Sequence, residues 1–328
     1  MKRFRSILCV VEPDGKYKSV LKHAVRLAES NQASLTVVGV APQVTARIGM
    51  SGRNSISSQL QAEIVNNLKL QLDTITEPYF ERIKPETRVL VGTPFMEIVR
   101  EVMRNGHDLV IKLPEQQKWR HRLFGSEDMN VLRKCPCPVW LLKPRGPKTY
   151  RRILAAVDVD DAYPPKEMES RRALNREVIE LAGSLALAES AELHVVHAWD
   201  VIGESPMRHG AFMRTSELKV DAWMEQVKQR HAANLDELML EAAAIVGQEA
   251  LEYLGHNKHL LKGPARKEIP ALAKQIEADI LVMGTVARTG VPGFLMGNTA
   301  ETILNQIDCS VLALKPPGFK SPVNLKEG

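Results

Sequence analysis

Cysteine is scarce in this chain. Four in 328 residues, at no framework-like spacing, exclude a disulfide-stapled fold, and reduced thiols in a cytoplasmic setting are expected. Cys135-Pro136-Cys137 is a C-x-C without a second pair nearby, and His256 and His259 have metal-like spacing without evident further ligands, so no metal site is expected. Aromatics make up only 5%, which leaves Leu, Val, Ile and Ala to build the cores. No run approaches the roughly 20 apolar residues of a membrane span. The basic start, Met1-Lys2-Arg3-Phe4-Arg5, is not followed by an apolar segment of signal-peptide length. A formal charge of +5 spread along the chain demands neither nucleic acid nor an anionic membrane as partner. The one basic loop with an aromatic, Lys118-Trp119-Arg120-His121-Arg122, reads as solvated surface. Walker Gly-Lys-Ser/Thr is absent, and so is any paired His and carboxylate spaced to activate a nucleophile. Catalytic residues are therefore expected to be none.

What is present is a duplication. A chain of 328 residues suggests two domains of about 150 residues. Hydrophobic content of 44% and charged content of 25% fit ordinary globular domains. Phe4-Arg5-Ser6-Ile7-Leu8-Cys9-Val10-Val11-Glu12 is matched by Tyr150-Arg151-Arg152-Ile153-Leu154-Ala155-Ala156-Val157-Asp158. Leu90-Val91-Gly92-Thr93-Pro94 is matched by Leu261-Lys262-Gly263-Pro264, and Asp108-Leu109-Val110-Ile111 by Asp279-Ile280-Leu281-Val282. The segment from Leu132 to Pro144 parallels that from Leu304 to Pro316. Collinear matches of this kind make a duplicated domain, with Arg145-Gly146-Pro147-Lys148-Thr149 as linker. The expected domains are 1–146, 147–316 and a tail, 317–328.

Strand and helix patterns alternate within each copy. Helices are expected over 19–32, 57–84, 96–105 and 127–134, then 169–189, 216–246, 267–277 and 299–307. Leu60, Ile64, Leu68, Leu72 and Ile75 share one helical face. Short apolar strands between such helices predict an α/β fold of two tandem, doubly wound, five-stranded parallel sheets. Ligands of such sheets sit at the carboxyl ends of the strands, where the strand order reverses.

The stretch from Asp279 to Glu301 carries the strongest chemical signal. An apolar run, Ile280 to Met283, breaks at Gly284, crosses a loop with Gly290 and Gly293, and restarts at Gly297-Asn298 as a helix. Asn298 is the expected N-cap, with Glu301 completing a capping box. Free backbone N–H groups and the helix dipole then face the loop's concavity, where Arg288 adds charge, which points to a nucleotide phosphate. The alternative is a strand-loop-helix whose glycines only make turns.

These residues resemble the universal stress protein family, whose hallmark G-x2-G-x9-G-(S/T) is a phosphate-binding loop for ATP-type ligands. Here it stands as Gly284-Thr285-Val286-Ala287, nine residues, then Gly297-Asn298-Thr299, departing from the pattern at Ala287 and at Asn298. The order of motifs is similar in particular to the tandem members of the E type, over essentially the whole chain. The resemblance implies a Rossmann-like sheet of the adenine nucleotide alpha hydrolase kind. It implies that Asp158 contacts the ribose or adenine edge and that Ala198 lines the adenine pocket. Met283, Gly284, Arg288, Gly297, Asn298 and Thr299 would hold ribose and phosphates. ATP is thus expected in the second copy only. In the first, Lys112-Leu113-Pro114-Glu115 replaces the Gly-rich start, and Gly125-Ser126 is followed by Glu127 and Asp128, which occupy the helix dipole themselves. The family's habit of pairing through last strands implies an intrachain pseudo-dimer through Val139–Leu142 and Val311–Leu314, with further self-association open.

Three readings follow: a cytoplasmic stress-response protein with a nucleotide as regulatory ligand, an interaction module, or a weakly supported enzyme in which slow ATP hydrolysis stays open. The interaction module would hold an apolar small molecule or a partner protein. Its cavity would be lined by Val195, Met207, Phe212, Met213, Leu218, Trp223, Val291, Phe294, Leu295 and Met296.

Overall fold

The computed structural model describes residues 4–12, 15, 17–44, 54–115, 124–144, 146–147, 149–201, 217–247, 257–285 and 296–325. The chain divides into two compact units. One is formed by the described residues of Met1–Gly146, Gly290–Met296 and Ser310–Gly328, the other by those of Pro147–Thr289 and Gly297–Cys309. No helix among the described residues is long and apolar enough to cross a membrane.

In the first unit, strands β1 (Ser6–Val10), β2 (Ser34–Ala41), β3 (Glu86–Val91), β4 (Leu109–Lys112) and β5 (Val139–Leu141) are separated by helices. These are α1 (Tyr17–Asn31), α2 (Asn54–Thr76), the single turn α3 (Phe80–Ile83), α4 (Pro94–Asn105) and α5 (Ser126–Lys134). The strands lie in the order 3-2-1-4-5 and are parallel. The sequence groups Ser310–Leu314 with the second copy, yet this strand, β10, belongs by its contacts to the first unit. It runs antiparallel to β5 with Val311 opposite Leu141, Leu312 opposite Trp140 and Ala313 opposite Val139. Lys143 N also donates to Ser310 Oγ at 3.0 Å. The expected partnership of Val139–Leu142 with Val311–Leu314 is therefore present, and it covers an edge of β5.

The second unit repeats the plan with β6 (Arg152–Ala156), α6 (Pro165–Glu189), β7 (Glu192–Trp199), α7 (Glu217–Val246), β8 (Asn257–Lys262), α8 (Ala265–Gln275), β9 (Ile280–Gly284) and α9 (Asn298–Leu304). Its parallel strands lie in the order 9-6-7-8. Nearly every strand residue of β6, β7 and β9 is buried, as apolar strands covered by helices require. The doubly wound, Rossmann-like α/β reading of the sequence is the fold observed. In this unit the order reverses between β6 and its two neighbours β7 and β9, which sets a crevice at their carboxyl ends.

The duplicated residues have structural jobs. Asp108 accepts from the N–H groups of Arg5 at 2.7 Å and Ser6 at 3.0 Å, and Asp279 accepts from those of Arg151 at 2.6 Å and Arg152 at 3.0 Å. Each carboxylate thus staples the start of one strand to the start of its neighbour. Gly92 and Gly263 both adopt φ near +139° and +138°, where an L side chain is strained. Their N–H groups bond Ala41 O at 3.0 Å and Trp199 O at 2.8 Å, turning the chain into α4 and α8.

Two sequence expectations differ in detail. The helix expected over 57–84 stops at Thr76 and gives way to a tight turn at Glu77–Tyr79, because Pro78 has no N–H to continue the ladder. On α2, Leu72 is fully buried as its face predicts, but Leu60 is 46% exposed.

Candidate functional site

A cavity of about 500 Å³ opens at the carboxyl ends of β6, β7 and β9. Its apolar wall is contributed by Ala156, Ala198, Ile269, Met283 and Ile303, and its polar groups by Asp158, Asn298 and Thr299 among others. Of the residues singled out in the sequence, Asp158, Ala198, Met283, Gly284, Gly297, Asn298 and Thr299 all line it. Arg288 and Ala287 lie outside the described residues.

Asp158 follows β6 and is held before any ligand arrives. Its Oδ2 accepts from Arg171 Nη1 at 2.6 Å and from the Tyr163 hydroxyl at 3.1 Å, and its Oδ1 accepts from Asp160 N at 3.3 Å. Asn175, one turn after Arg171 on α6, accepts from Asp158 N at 3.1 Å and donates to Asp158 O at 2.7 Å. The Arg171 guanidinium stacks on the Tyr163 ring at 3.5 Å. Burial, together with the charge of Asp158, pushes the Tyr163 hydroxyl up to about 12, so it stays a donor. Arg171 also lines an adjoining cleft of about 280 Å³ between α6 and α7, rich in carboxylates that include Asp160, Asp161, Glu237 and Glu241. These side chains were not legible as site residues. The only hint was the i, i+4 spacing of Arg171 and Asn175 within a helix that follows Asp158.

β7 adds a second feature. His197 Nε2 lies 3.0 Å from His231 Nδ1 on α7, and His197 Nδ1 lies 3.3 Å from Val157 O. The His231 ring stacks near Trp199, at 6.0 Å between centroids. Burial outweighs the nearby Asp158 carboxylate and holds His197 below its ordinary range, so the imidazole is neutral at pH 7. A polar residue in the buried run Leu193–Trp199 was the available sequence signal.

The loop-helix junction differs from expectation. Gly297, not Asn298, is the N-cap of α9, and Asn298 is the first helical residue. The cause is local: Gly297 N donates to Thr285 O at 3.1 Å, so the chain enters the helix one residue early. The expected capping box from Asn298 to Glu301 is not formed. Glu301 N instead meets Gly297 O at 3.0 Å, and no side chain caps this helix. Gly284 also has a packing reason, since a Cβ there would meet Leu174 Cδ2 at 2.5 Å.

The corresponding crevice of the first unit, at Val10, Glu12, Tyr17, Lys112 and Pro114, measures only about 50 Å³. Lys112 stands where the second copy has Met283, and Asp128 where it has Ala300. In the first unit those two side chains form a buried ion pair. Asp128 Oδ2 also accepts from Gly125 N at 2.8 Å and Glu115 N at 2.9 Å, and Glu127 accepts from Phe95 N at 2.9 Å. The start of α5 is thus filled by the protein's own carboxylates.

Of the residues proposed for an apolar ligand, three have described side chains. Val195 is fully buried in β7, Trp223 is 38% exposed, and Met296 is buried. Trp199, Val220 and Met224 pack together, with Val227 and Leu260 against them. The structure describes no side chain at the remaining positions: Met207, Phe212, Met213, Leu218, Val291, Phe294 and Leu295. No group of three or more metal-ligating side chains occurs among the described residues. His259 instead lies 3.0 Å from His194 Nδ1, while His256 and the basic loop 118–122 lie outside the described residues.

A model described as the universal stress protein family matches residues 3–143 and again 149–315. Universal stress protein E of Escherichia coli (strain K12) is 27% identical over 341 residues, covering 100% of this chain and 99% of its own. The universal stress protein E homolog of Haemophilus influenzae is 26% identical over 324 residues, covering 96% and 98%. Among solved structures, a functionally unknown protein from Pseudomonas aeruginosa PAO1 is similar, with TM-score 0.66, 28% identity, and coverage of 96% and 94%.

Proposed function

The chain belongs to the universal stress protein family, and from that premise we propose that its second unit binds ATP or a related adenine nucleotide as a regulatory ligand in a cytoplasmic stress response, while its first unit binds none. One contrast carries this reading: the crevice is about 500 Å³ where Met283 and Ala300 stand, and about 50 Å³ in the first unit, where the lining residue Lys112 pairs with Asp128. The larger volume lies within the range of small-ligand pockets and combines an apolar wall with a few convergent polar groups. Its apolar wall suits a flat base, and Asp158 offers a carboxylate to ribose or base edge. The uncapped first turn of α9, together with Asn298 and Thr299, offers N–H and O–H donors to phosphate. The nucleotide is held and not turned over, so its role is to stabilise one state of the chain by mass action.

Gly297→Glu tests the site directly, because it sets a carboxylate at the start of α9. Displacement of a fluorescent ATP analogue from the full-length chain is expected to be lost in this variant while its circular dichroism is unchanged. Wild-type binding retained by Gly297→Glu would place the nucleotide elsewhere and defeat the proposal.

A further inference from the structure

The first unit holds two thiols and an amine for which nucleotide binding has no use. Cys135 and Cys137 flank Pro136 between α5 and β5, and their Sγ atoms are in hydrogen-bonding contact at 3.5 Å. Cys135 is fully buried, while Cys137 retains 8% exposure. Lys315, the residue after β10, is buried against the same segment, and its ammonium donates to the carbonyl of Leu132 in α5. Its charge favours the thiolate of Cys135.

We propose that Cys135 and Cys137 form a redox modification site, oxidised by a hydroperoxide to a disulfide within the chain. The sulfurs need to close from 3.5 Å to the roughly 2.05 Å of a disulfide. Pro136 and Pro138 fix their own φ, so closure falls to the cysteine side chains. Burial lowers the Lys315 amine to about 7. Against the upward push of burial, the hydrogen bond from Cys137 and the charge of Lys315 bring the Cys135 thiol below its ordinary range. The bond it gives to Cys135, together with burial, pushes Cys137 well up. The two thiols are thereby distinguished: Cys135 is the nucleophile and Cys137 the resolving thiol.

The chemistry balances with the hydroperoxide as sole oxidant. Cys135 thiolate attacks the terminal peroxide oxygen, an S–O bond forms, the O–O bond breaks, and the departing alkoxide takes the proton that the Cys135 thiol released. Sulfur is oxidised to sulfenic acid and the peroxide is reduced to an alcohol. Cys137 sulfur then attacks the sulfenic sulfur, the S–S bond forms, the S–O bond breaks, and hydroxide leaves as water with the Cys137 proton. The sum is two thiols plus one hydroperoxide giving one disulfide, one alcohol and one water.

Full-length protein treated with hydrogen peroxide, alkylated and digested with trypsin reports on both sulfurs in the single peptide that begins at Cys135. That peptide is expected to lose two hydrogen masses and to resist alkylation. In Cys137→Ser, a cyclic 1,3-diketone that traps sulfenic acids is expected to add at Cys135. Lys315→Met is expected to slow oxidation at neutral pH, because loss of the charge raises the Cys135 thiol and lowers its thiolate fraction. Lys315→Arg, which keeps the charge, restores most of the rate and so separates charge from packing. Two alkylated thiols in that peptide, after a treatment that oxidises the same peptide free in solution, would overturn the site. Equal rates in wild type and Lys315→Met would overturn the role of the lysine. If Lys315→Met does not fold, wild-type peptide mapping and diketone trapping in Cys137→Ser still decide the site, and failure of either rejects it.

Discussion

Lys112 and Asp128 show how two residues can close a crevice that the fold otherwise leaves open. Asp128 is completely buried and accepts from the Lys112 ammonium and the N–H groups of Gly125 and Glu115. Asp128→Asn removes the countercharge and strands a buried ammonium, at a cost of about 3–5 kcal/mol in urea unfolding. Changing both residues to those of the second copy, Lys112→Met with Asp128→Ala, is expected to be more stable than the single variant, because no uncompensated charge remains. A double variant less stable than Asp128→Asn would show that the pair is not a unit. Gly284 makes the opposite point. Its bare Cα accommodates Leu174, so Gly284→Ala is expected to destabilise by about 1 kcal/mol or more through overpacking. The additional change Leu174→Ala should remove that clash. A coupling energy of zero in the double-mutant cycle would contradict the packing account.

Helix α6 acts on strand β6 through one turn. Arg171 and Asn175 reach Asp158 from the same face and hold both its carboxylate and its peptide group. A nucleotide that uses this carboxylate competes with Arg171, whose ion pair is partly exposed and therefore modest. Arg171→Ala is accordingly expected to raise nucleotide affinity, by up to about fivefold. A fall in affinity in the same titration would mean that Arg171 holds the ligand itself. At this scale the sequence was most informative where a single rule decides. β7 was legible to the residue from its apolar run, and α4 and α8 from the Gly-Thr-Pro and Gly-Pro junctions before them. The end of α2 was misread because helical periodicity continues past Pro78, although the missing N–H does not permit it. The cap of α9 was misread because asparagine is the better capping side chain, whereas a backbone bond from Gly297 to Thr285 sets the turn. Asp158, Ala198 and Met283 were legible through motif and strand ends. Arg171, His197 and His231 were not, since which helix face meets which strand end depends on packing across distant segments.

Across the whole molecule the same fold occurs twice. The duplicated aspartates and positive-φ glycines maintain both units, so their recurrence reflects folding. At the crevice the units differ: an internal ion pair stands in one, while an apolar Met283 and Ala300 leave the other open. The central claim is therefore a number of sites per chain. Isothermal titration of the full-length protein with ATP measures it: the account predicts a single site with one nucleotide per chain. Two nucleotides per chain, or no binding heat up to millimolar ATP, would contradict it.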